Sequence, residues 1–252
     1  MRMKTRGLLI LAVILGSLVM MVWLARSVPT DAELEVMAHA SQNGLSYSDY
    51  PASLVELMER NPETRGFVLN YPFREEREAD LSGYDPAQGV PLFLQWDEQW
   101  GYQPYGGDFV AVSGSGVMCL AMTGWHLSGG EERFSPQQVA EFAWKNGYGS
   151  GRRVMRECGS ALGLEVTELG RDERKLSVYL KNGSPVIALM GEGDFTDSEQ
   201  YVVLTGYSGG MVTLRDPGSR VNSEKIWSYS AIAGQVKGLW VVQLADEVEF
   251  NG

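Results

Sequence analysis

Histidine is scarce in this sequence: among 252 residues only His39 and His126 are present. Imidazole is the side chain that most often acts as a general base near neutral pH, so reactions that need one have little to draw on. Cysteine is equally limited, because Cys119 and Cys158 cannot form a disulfide framework. These two could pair with each other outside the cell or remain as buried free thiols. We expect no metal site and no cofactor.

Positive charge is also in short supply. The chain has 21 Lys and Arg residues against 32 Asp and Glu, a net charge of -11. Such a chain offers no broad basic surface for a phosphate backbone, so we predict no nucleic-acid partner. The hydrophobic content of 44% is enough for one full domain with a sizeable core and one or two appendages.

A long uncharged stretch lies near the N-terminus, at residues 7–25, behind Arg2, Lys4 and Arg6. As a helix it measures about 28 Å, close to the thickness of the bilayer hydrocarbon. We interpret it as a transmembrane anchor, with the basic N-terminus inside and the rest of the chain outside the cytoplasm. The alternative is a cleaved signal peptide and a secreted protein.

The sequence predicts three parts. Residues 1–26 form the basic N-terminus and the anchor, residues 27–89 form a helical stalk or brace, and residues 90–252 form a globular domain. In the stalk, a Thr30 capping box predicts a helix that ends at Gly44, and a second helix covers 51–60. We expect a short strand over 67–71 and a charged surface connection over 74–89.

In the domain, the first half is helical and the second half is rich in β-formers. The predicted helices cover 117–127, 135–146, 152–162 and 172–182, and the predicted strands cover 185–190, 201–207, 211–214 and 238–244. Ser208-Gly-Gly210 is a typical hairpin turn. Helices followed by an antiparallel sheet predict an α+β fold.

One turn in the domain carries the candidate chemistry. Ser115 lies between Gly114 and Gly116, directly before a predicted helix. A side chain there faces the positive end of the helix, which would lower the pKa of a nucleophile such as cysteine. This chain has serine at that position, and the competing interpretation is that Ser115 caps the helix N-terminus.

Several short motifs, in their order, resemble the C39-like branch of the papain-like cysteine peptidases over about three quarters of the chain. They are the segments 90–101, 105–106, 119–122, 146–148, 183–186, 194–196, 203–206, 216–219 and 222–227. The resemblance implies a papain-like C39-type domain, in which a helical first half packs on an antiparallel β-sheet. It also implies a site built from a cysteine, a histidine, an aspartate and an upstream glutamine that stabilises the oxyanion.

Two of these four family positions are altered in this chain. The resemblance puts the glutamine at Gln95 and the aspartate at Asp216, but Ser115 stands at the cysteine position and Gln200 at the histidine position. A serine hydroxyl needs a base to take its proton, and a glutamine amide cannot do so. His126 would lie about 16 Å from Ser115 along one helix. Gln200 could instead bond to Asp216 or Ser115, and Asp216 could be a simple turn residue.

We therefore predict a membrane-anchored pseudopeptidase that lies outside the cytoplasm and binds a peptide or protein. Two alternatives stay open: an active peptidase or acyl hydrolase that uses Ser115, and a structural surface protein with a filled cleft. An open groove at the four family positions would favour binding, and a plugged one would favour a scaffold. The aromatic residues Trp96, Trp100, Tyr102 and Tyr105 are interpreted as packing residues or as a ligand platform.

Overall fold

The computed structural model describes Leu15 and residues 28–149 and 151–245. The chain divides into two compact units, residues 1–60 and 61–252. The predicted membrane span at 7–25 lies outside the described residues, apart from Leu15. Across the described ranges no helix is both long and apolar enough to cross a membrane. The predicted division at residues 26 and 89 stays a prediction.

The smaller unit is helical where it is described. Helix α1 covers Asp31–Gln42, and Thr30 forms the predicted capping box with Glu33. A 3-10 turn at Tyr47–Asp49 leads to helix α2, Ala52–Arg60. The Nδ1 atom of His39 lies 2.8 Å from the Tyr50 hydroxyl. Both helices that the sequence predicted for this unit are confirmed.

The larger unit begins with a helix where a strand was predicted. A 3-10 turn at Pro62–Thr64, capped by Asn61, runs into helix α3, Arg65–Asn70, and a second 3-10 turn follows at Tyr71–Phe73. The strand prediction over 67–71 was wrong, because a short apolar run does not distinguish a buried strand from a buried helix. Phe67, Val68 and Leu69 are all buried. Residues 74–85 then follow without helix or strand, and a 3-10 turn covers Pro86–Gln88.

The helical layer of this unit follows a two-stranded ribbon. The ribbon pairs β1, Pro104–Tyr105, with β2, Asp108–Phe109. A short helix α4 covers Val110–Ser113, the central helix α5 covers Ser115–Ser128, and α6 covers Pro136–Lys145 after a 3-10 turn at Glu132–Phe134. The helix predicted over 152–162 is replaced by a π-helical turn at Val154–Cys158 and a short α7 at Gly159–Ala161.

The second half of the unit forms a six-stranded antiparallel sheet. Its strands are β3 (Leu164–Glu168), β4 (Val186–Gly191), β5 (Glu199–Ser208), β6 (Met211–Arg215), β7 (Trp227–Ser228) and β8 (Val236–Leu244). Their order across the sheet is β3-β8-β4-β5-β6-β7. Helices α8 (Glu173–Lys181), α9 (Arg220–Glu224) and α10 (Tyr229–Ile232) and a 3-10 turn at Ala233–Gln235 connect the strands.

The sheet separates two hydrophobic cores by the alternation of its side chains. On β4, Ile187 and Leu189 pack with helix α5, whereas Val186, Ala188 and Met190 pack on the other face with α8. Strand β5 alternates in the same way, with Tyr201 and Val203 on the α5 face. The α+β fold, with a helical first half on an antiparallel sheet, is confirmed. The sheet also brings the end of α5 that carries Ser115 next to the start of β5.

Candidate functional site

Ser115 is the first residue of helix α5, and its side chain contacts the sheet instead of capping the helix. Its Oγ atom accepts a hydrogen bond of 3.3 Å from the Tyr201 backbone N–H in β5. Gly114 is the N-cap residue and no side chain caps this helix. The interpretation of Ser115 as the N-cap was therefore wrong: α4 continues almost directly into α5, which leaves no extended residue for a serine cap.

The glycines on both sides of Ser115 are required by close packing. A Cβ atom at Gly114 would lie 2.4 Å from the carbonyl oxygen of Val110. At Gly116 it would lie 2.8 Å from the Val154 side chain, with Tyr201 close behind. The Gly-Ser-Gly turn thus allows the start of α5 to approach both the preceding helix and the sheet.

Gln200 and Asp216 are joined directly. Gln200 lies on β5, one residue before Tyr201, and its Nε2 group donates a hydrogen bond to Asp216 Oδ1. A Cβ atom at Gly218 would lie 2.4 Å from Gln200 Nε2, so the glycine makes room for this contact. The structure therefore brings three of the family positions into one network, with Ser115 bonded to the residue that follows Gln200.

Asp216 is fully buried and accepts hydrogen bonds on both carboxylate oxygens. Besides Gln200, the Gly218 backbone N–H donates to Oδ1 over 2.9 Å, and Asn222 Nδ2 donates to Oδ2 over 2.9 Å. Burial raises the pKa of Asp216 to about 6, although these three hydrogen bonds act to lower it. Loss of solvation therefore outweighs the hydrogen bonds at this carboxylate.

Gln95 lies against the Asp216 loop but turns its amide toward the backbone. Its backbone N–H donates to the Pro217 carbonyl over 2.8 Å, and its Nε2 donates to the Ala111 carbonyl over 2.6 Å. The Gln95 side chain is buried, and among the described residues its Oε1 has no hydrogen-bond partner. All four sequence-predicted positions therefore lie together, and at least one donor of Gln95 is used within the chain.

The loop after Asp216 is held by Trp96, one of the aromatic residues noted in the sequence, and by Asn61 and Glu63, which the sequence did not indicate. Asn61 Nδ2 and the Trp96 indole N–H both donate to the Gly218 carbonyl, over 2.7 and 2.9 Å. Glu63 accepts from the Ser219 hydroxyl over 2.5 Å and from the Arg220 backbone N–H over 2.9 Å. Asn61 and Glu63 lie more than 150 residues before this loop, so no local signal in the sequence indicates these contacts. Asn222 lies six residues after Asp216 in a segment of the resemblance, which is a signal that could have identified it.

His126 and the two cysteines do not supply the missing groups. His126 lies near the far end of α5, where its Nδ1 atom is 2.8 Å from the Pro86 carbonyl. Cys119, one turn after Ser115, is a fully buried free thiol, and burial raises its pKa well above the usual range. Burial also raises the pKa of Cys158, a second buried free thiol, to about 12. Raised thiol pKa values disfavour the reactive thiolate, and the structure has both cysteines as buried free thiols, the second of the two alternatives expected from the sequence.

The aromatic residues near the site are mainly packing residues. Trp100 and Tyr105 are buried in the core on the α5 face of the sheet. Tyr102 stacks on Phe67 with ring centroids 4.1 Å apart, and its hydroxyl donates to the Phe67 carbonyl. Trp96 is partly buried and bonds to Gly218. The packing interpretation holds for Trp100 and Tyr105, whereas Trp96 and Tyr102 remain partly exposed.

The four family positions are largely buried, and none of them lines either of the two cavities described in this unit. Gln95 and Asp216 are buried, and Ser115 and Gln200 are partly buried. A groove of about 560 Å³ does exist in this unit, but it is lined by residues of the 74–78, 98–104 and 137–141 segments and by none of the four. No group of three or more possible metal ligands occurs within the described residues.

Comparison with known protein families identifies the family of this chain. A family model described as the Peptidase_C39 like family matches residues 88–243, more than half of the sequence. The chain belongs to the C39-like peptidase family. The resemblance found in the sequence is thus confirmed, and the C39-like domain contains all four family positions.

Solved structures with similarity to this C39-like chain include two bacterial proteins. One is the peptidase domain of Streptococcus ComA, a bi-functional ABC transporter involved in a quorum sensing pathway. Its sequence identity is 20%, the match covers 52% of this chain and 92% of that chain, and the TM-score is 0.42. The other is described as a C39-like peptidase from Bacillus anthracis; its sequence identity is 16%, the match covers 62% of this chain and 96% of that chain, and the TM-score is 0.38. Among curated proteins there is no match. The family assignment rests on the family model.

Proposed function

We propose that this chain is a catalytically inactive member of the C39-like family that binds a peptide or protein. In this proposal residues 7–25 anchor it in a membrane, and its domain lies outside the cytoplasm. The main observation that supports a loss of activity is the hydrogen bond between Gln200 and Asp216. The residue at the base position donates a hydrogen bond to Asp216 and has no lone pair on nitrogen that could take a proton.

The surroundings of Ser115 support the same conclusion. Among the described residues, the Ser115 hydroxyl has one hydrogen-bond contact, the Tyr201 N–H, and that group is a donor. A serine without a base in reach is a weak nucleophile. Cys119, one turn further along α5, is buried, and burial raises the pKa of its thiol well above the usual range. What remains at such a site is binding and any oxyanion contact, which in a serine protease without its triad leave about 10³–10⁴ over water.

The test of inactivity is turnover of a mixed peptide library, followed by mass spectrometry, by the native chain and by Ser115→Ala. We expect no cleavage above background from either protein. Cleavage by the native chain that disappears in Ser115→Ala, together with labelling of Ser115 by a fluorophosphonate probe, would show an active hydrolase and overturn the proposal.

A repair experiment asks whether the loss lies in these two residues alone. We expect Ser115→Cys with Gln200→His to gain peptidase activity, because Asp216 is placed to orient an imidazole at position 200 and the α5 N-terminus favours a thiolate at position 115. Each single substitution serves as a matched control and should stay inactive. Activity in Ser115→Cys alone would contradict the role assigned to position 200.

The membrane orientation can be tested with a thiol reagent that does not cross membranes. Cys119 and Cys158 are buried, so an exposed cysteine introduced as Glu168→Cys should be the reactive one. We expect labelling of Glu168→Cys in intact cells, and labelling of Arg2→Cys only after the membrane is opened. The reverse pattern would contradict the proposed orientation.

A further inference from the structure

The groove of about 560 Å³ lies between the irregular segment 74–78, the loop 98–104 and the start of helix α6. A smaller cavity of about 250 Å³ shares part of the same wall, including Arg74, Glu75 and Glu98. We call this combined surface the acidic groove. The volume of the larger groove, about 560 Å³, is in the range of about 300–1,000 Å³ that ligand sites usually have.

The charges that line the acidic groove are mostly negative. Five carboxylates line it, against the two guanidinium groups of Arg74 and Arg77; the carboxylates belong to Glu75, Glu76, Glu78, Glu98 and Glu141. The Arg74 guanidinium is engaged elsewhere, since it lies 3.9 Å from the centroid of the Tyr71 ring and donates to the Tyr71 carbonyl.

The wall carries carboxylates that the protein leaves without partners. Glu75, Glu76 and Glu78 are exposed, and among the described residues none of them has an ion-pair or hydrogen-bond partner. Glu98 accepts a hydrogen bond from Asn70 over 2.8 Å. Burial, and then the charge of Glu98, raise the pKa of the Tyr102 hydroxyl, while the charges of Arg74 and Arg77 act to lower it.

The groove has a fixed wall and an aromatic floor. Gln137 Nε2 donates to the carbonyls of Arg77 and Gln99, over 2.9 and 2.8 Å, and its Oε1 accepts from the Ala79 N–H over 2.9 Å. These bonds fix the 77–79 backbone against α6. At the floor, Tyr102 is held by Phe67 through stacking and a hydrogen bond. A rigid wall reduces the entropy that binding has to overcome.

We propose that the acidic groove binds a cationic peptide segment through an arginine side chain, which the unpaired carboxylates of Glu75, Glu76 and Glu78 neutralise at the Tyr102 floor. A guanidinium has only donors, and it pairs with carboxylates and stacks on aromatic rings. This goes beyond the proposed function, because the groove shares no residue with the four family positions and could bind such a peptide whether or not the chain turns over peptides.

The test measures fluorescence anisotropy of a fluorescein-labelled peptide, Gly-Ser-Gly-Arg-Gly-Arg-Gly-Ser-Gly, with the full chain in a neutral detergent. The matched peptide has citrulline in place of both arginines, which keeps the shape and removes the charge. The matched proteins are Glu75→Gln/Glu76→Gln/Glu78→Gln and the control Glu165→Gln/Glu168→Gln/Glu192→Gln, whose exposed residues lie outside the groove and change the net charge equally.

We expect the affinity of the arginine peptide for the native chain and for the control variant to agree within twofold. Its affinity for the groove variant should be about tenfold weaker, because that variant loses a few exposed ion pairs. The citrulline peptide should bind at least tenfold more weakly than the arginine peptide. Equal weakening in both triple variants would show attraction by net charge alone and overturn the proposal. Equal affinity for the two peptides, or no binding at 1 mM, would overturn it as well. None of these outcomes depends on peptide turnover.

Discussion

The Asp216 loop and the acidic groove belong to the same unit, but their carboxylates differ in burial and in hydrogen bonding. Asp216 is buried and accepts hydrogen bonds from Gln200, Gly218 and Asn222. Glu75, Glu76 and Glu78 in the groove are exposed, and within the described chain they have no partner. Polar groups that are paired internally hold a loop in place, whereas exposed like charges repel one another and contribute little to folding. The first region therefore has a structural role, and the second is available to a ligand.

The largest expected effect is at Asp216. Replacing it with alanine leaves the buried donor of Gly218 and the partly buried donors of Asn222 and Gln200 without this acceptor, and we expect a loss of about 3–5 kcal/mol of unfolding free energy at pH 7. Asp216→Asn keeps the shape and one acceptor and should cost less than about 1 kcal/mol. Urea unfolding measures both. If the alanine variant is as stable as the asparagine variant, the loop does not depend on this network.

The next effect is the pH dependence of the same carboxyl group. Its pKa is raised from 3.8 to about 6 in the folded state, so between pH 4 and 6 the folded protein holds a proton that the unfolded chain has lost. This contribution to stability is present at low pH and is lost as the pH rises through 6. The shift of roughly two units corresponds to about 3 kcal/mol.

The measurement is the unfolding free energy of the native chain minus that of Asp216→Asn at pH 4.5 and at pH 7.5. Because the other titrating groups are common to both proteins, their contributions largely cancel. We expect the difference to favour the native chain more at pH 4.5. A difference that does not change with pH would show that Asp216 titrates as an ordinary carboxyl group.

These contrasts show what the sequence could and could not predict. The motifs located Gln200 and Asp216, because a strand and a turn that carry family residues are local features. The contacts of Asn61 and Glu63 with the 218–221 loop depend on tertiary packing across more than 150 residues, which no local pattern encodes. Strand β3 was not predicted because it has one buried residue, Leu164, among five. The charges of segment 74–78 and the aromatic side chain of Tyr102 were visible in the sequence, but not the packing that brings them into one groove.

A smaller effect is expected at Glu63, which connects the start of the larger unit to the Asp216 loop. Glu63→Gln keeps the shape but weakens the hydrogen bonds from Ser219 and Arg220, at the N-terminus of α9. We expect a loss of about 1 kcal/mol of unfolding free energy. Glu59→Gln, an exposed substitution in α2, is the control and should change stability by less than about 0.5 kcal/mol. Equal effects of the two substitutions would mean that the carboxylate does not hold the loop.

The smallest effect is expected in the acidic groove, where it separates binding from folding. Glu75→Gln/Glu76→Gln/Glu78→Gln removes three exposed charges that have no partner in the described chain. We expect the unfolding free energy to stay the same or to rise by a few tenths of a kcal/mol, because the repulsion between these charges is relieved. Thermal unfolding at low and at 0.5 M salt measures this, and any stabilisation should disappear at high salt because exposed charges are then screened. A loss above about 1 kcal/mol would show that these carboxylates support the 74–78 segment itself, and that the groove resembles the Asp216 loop.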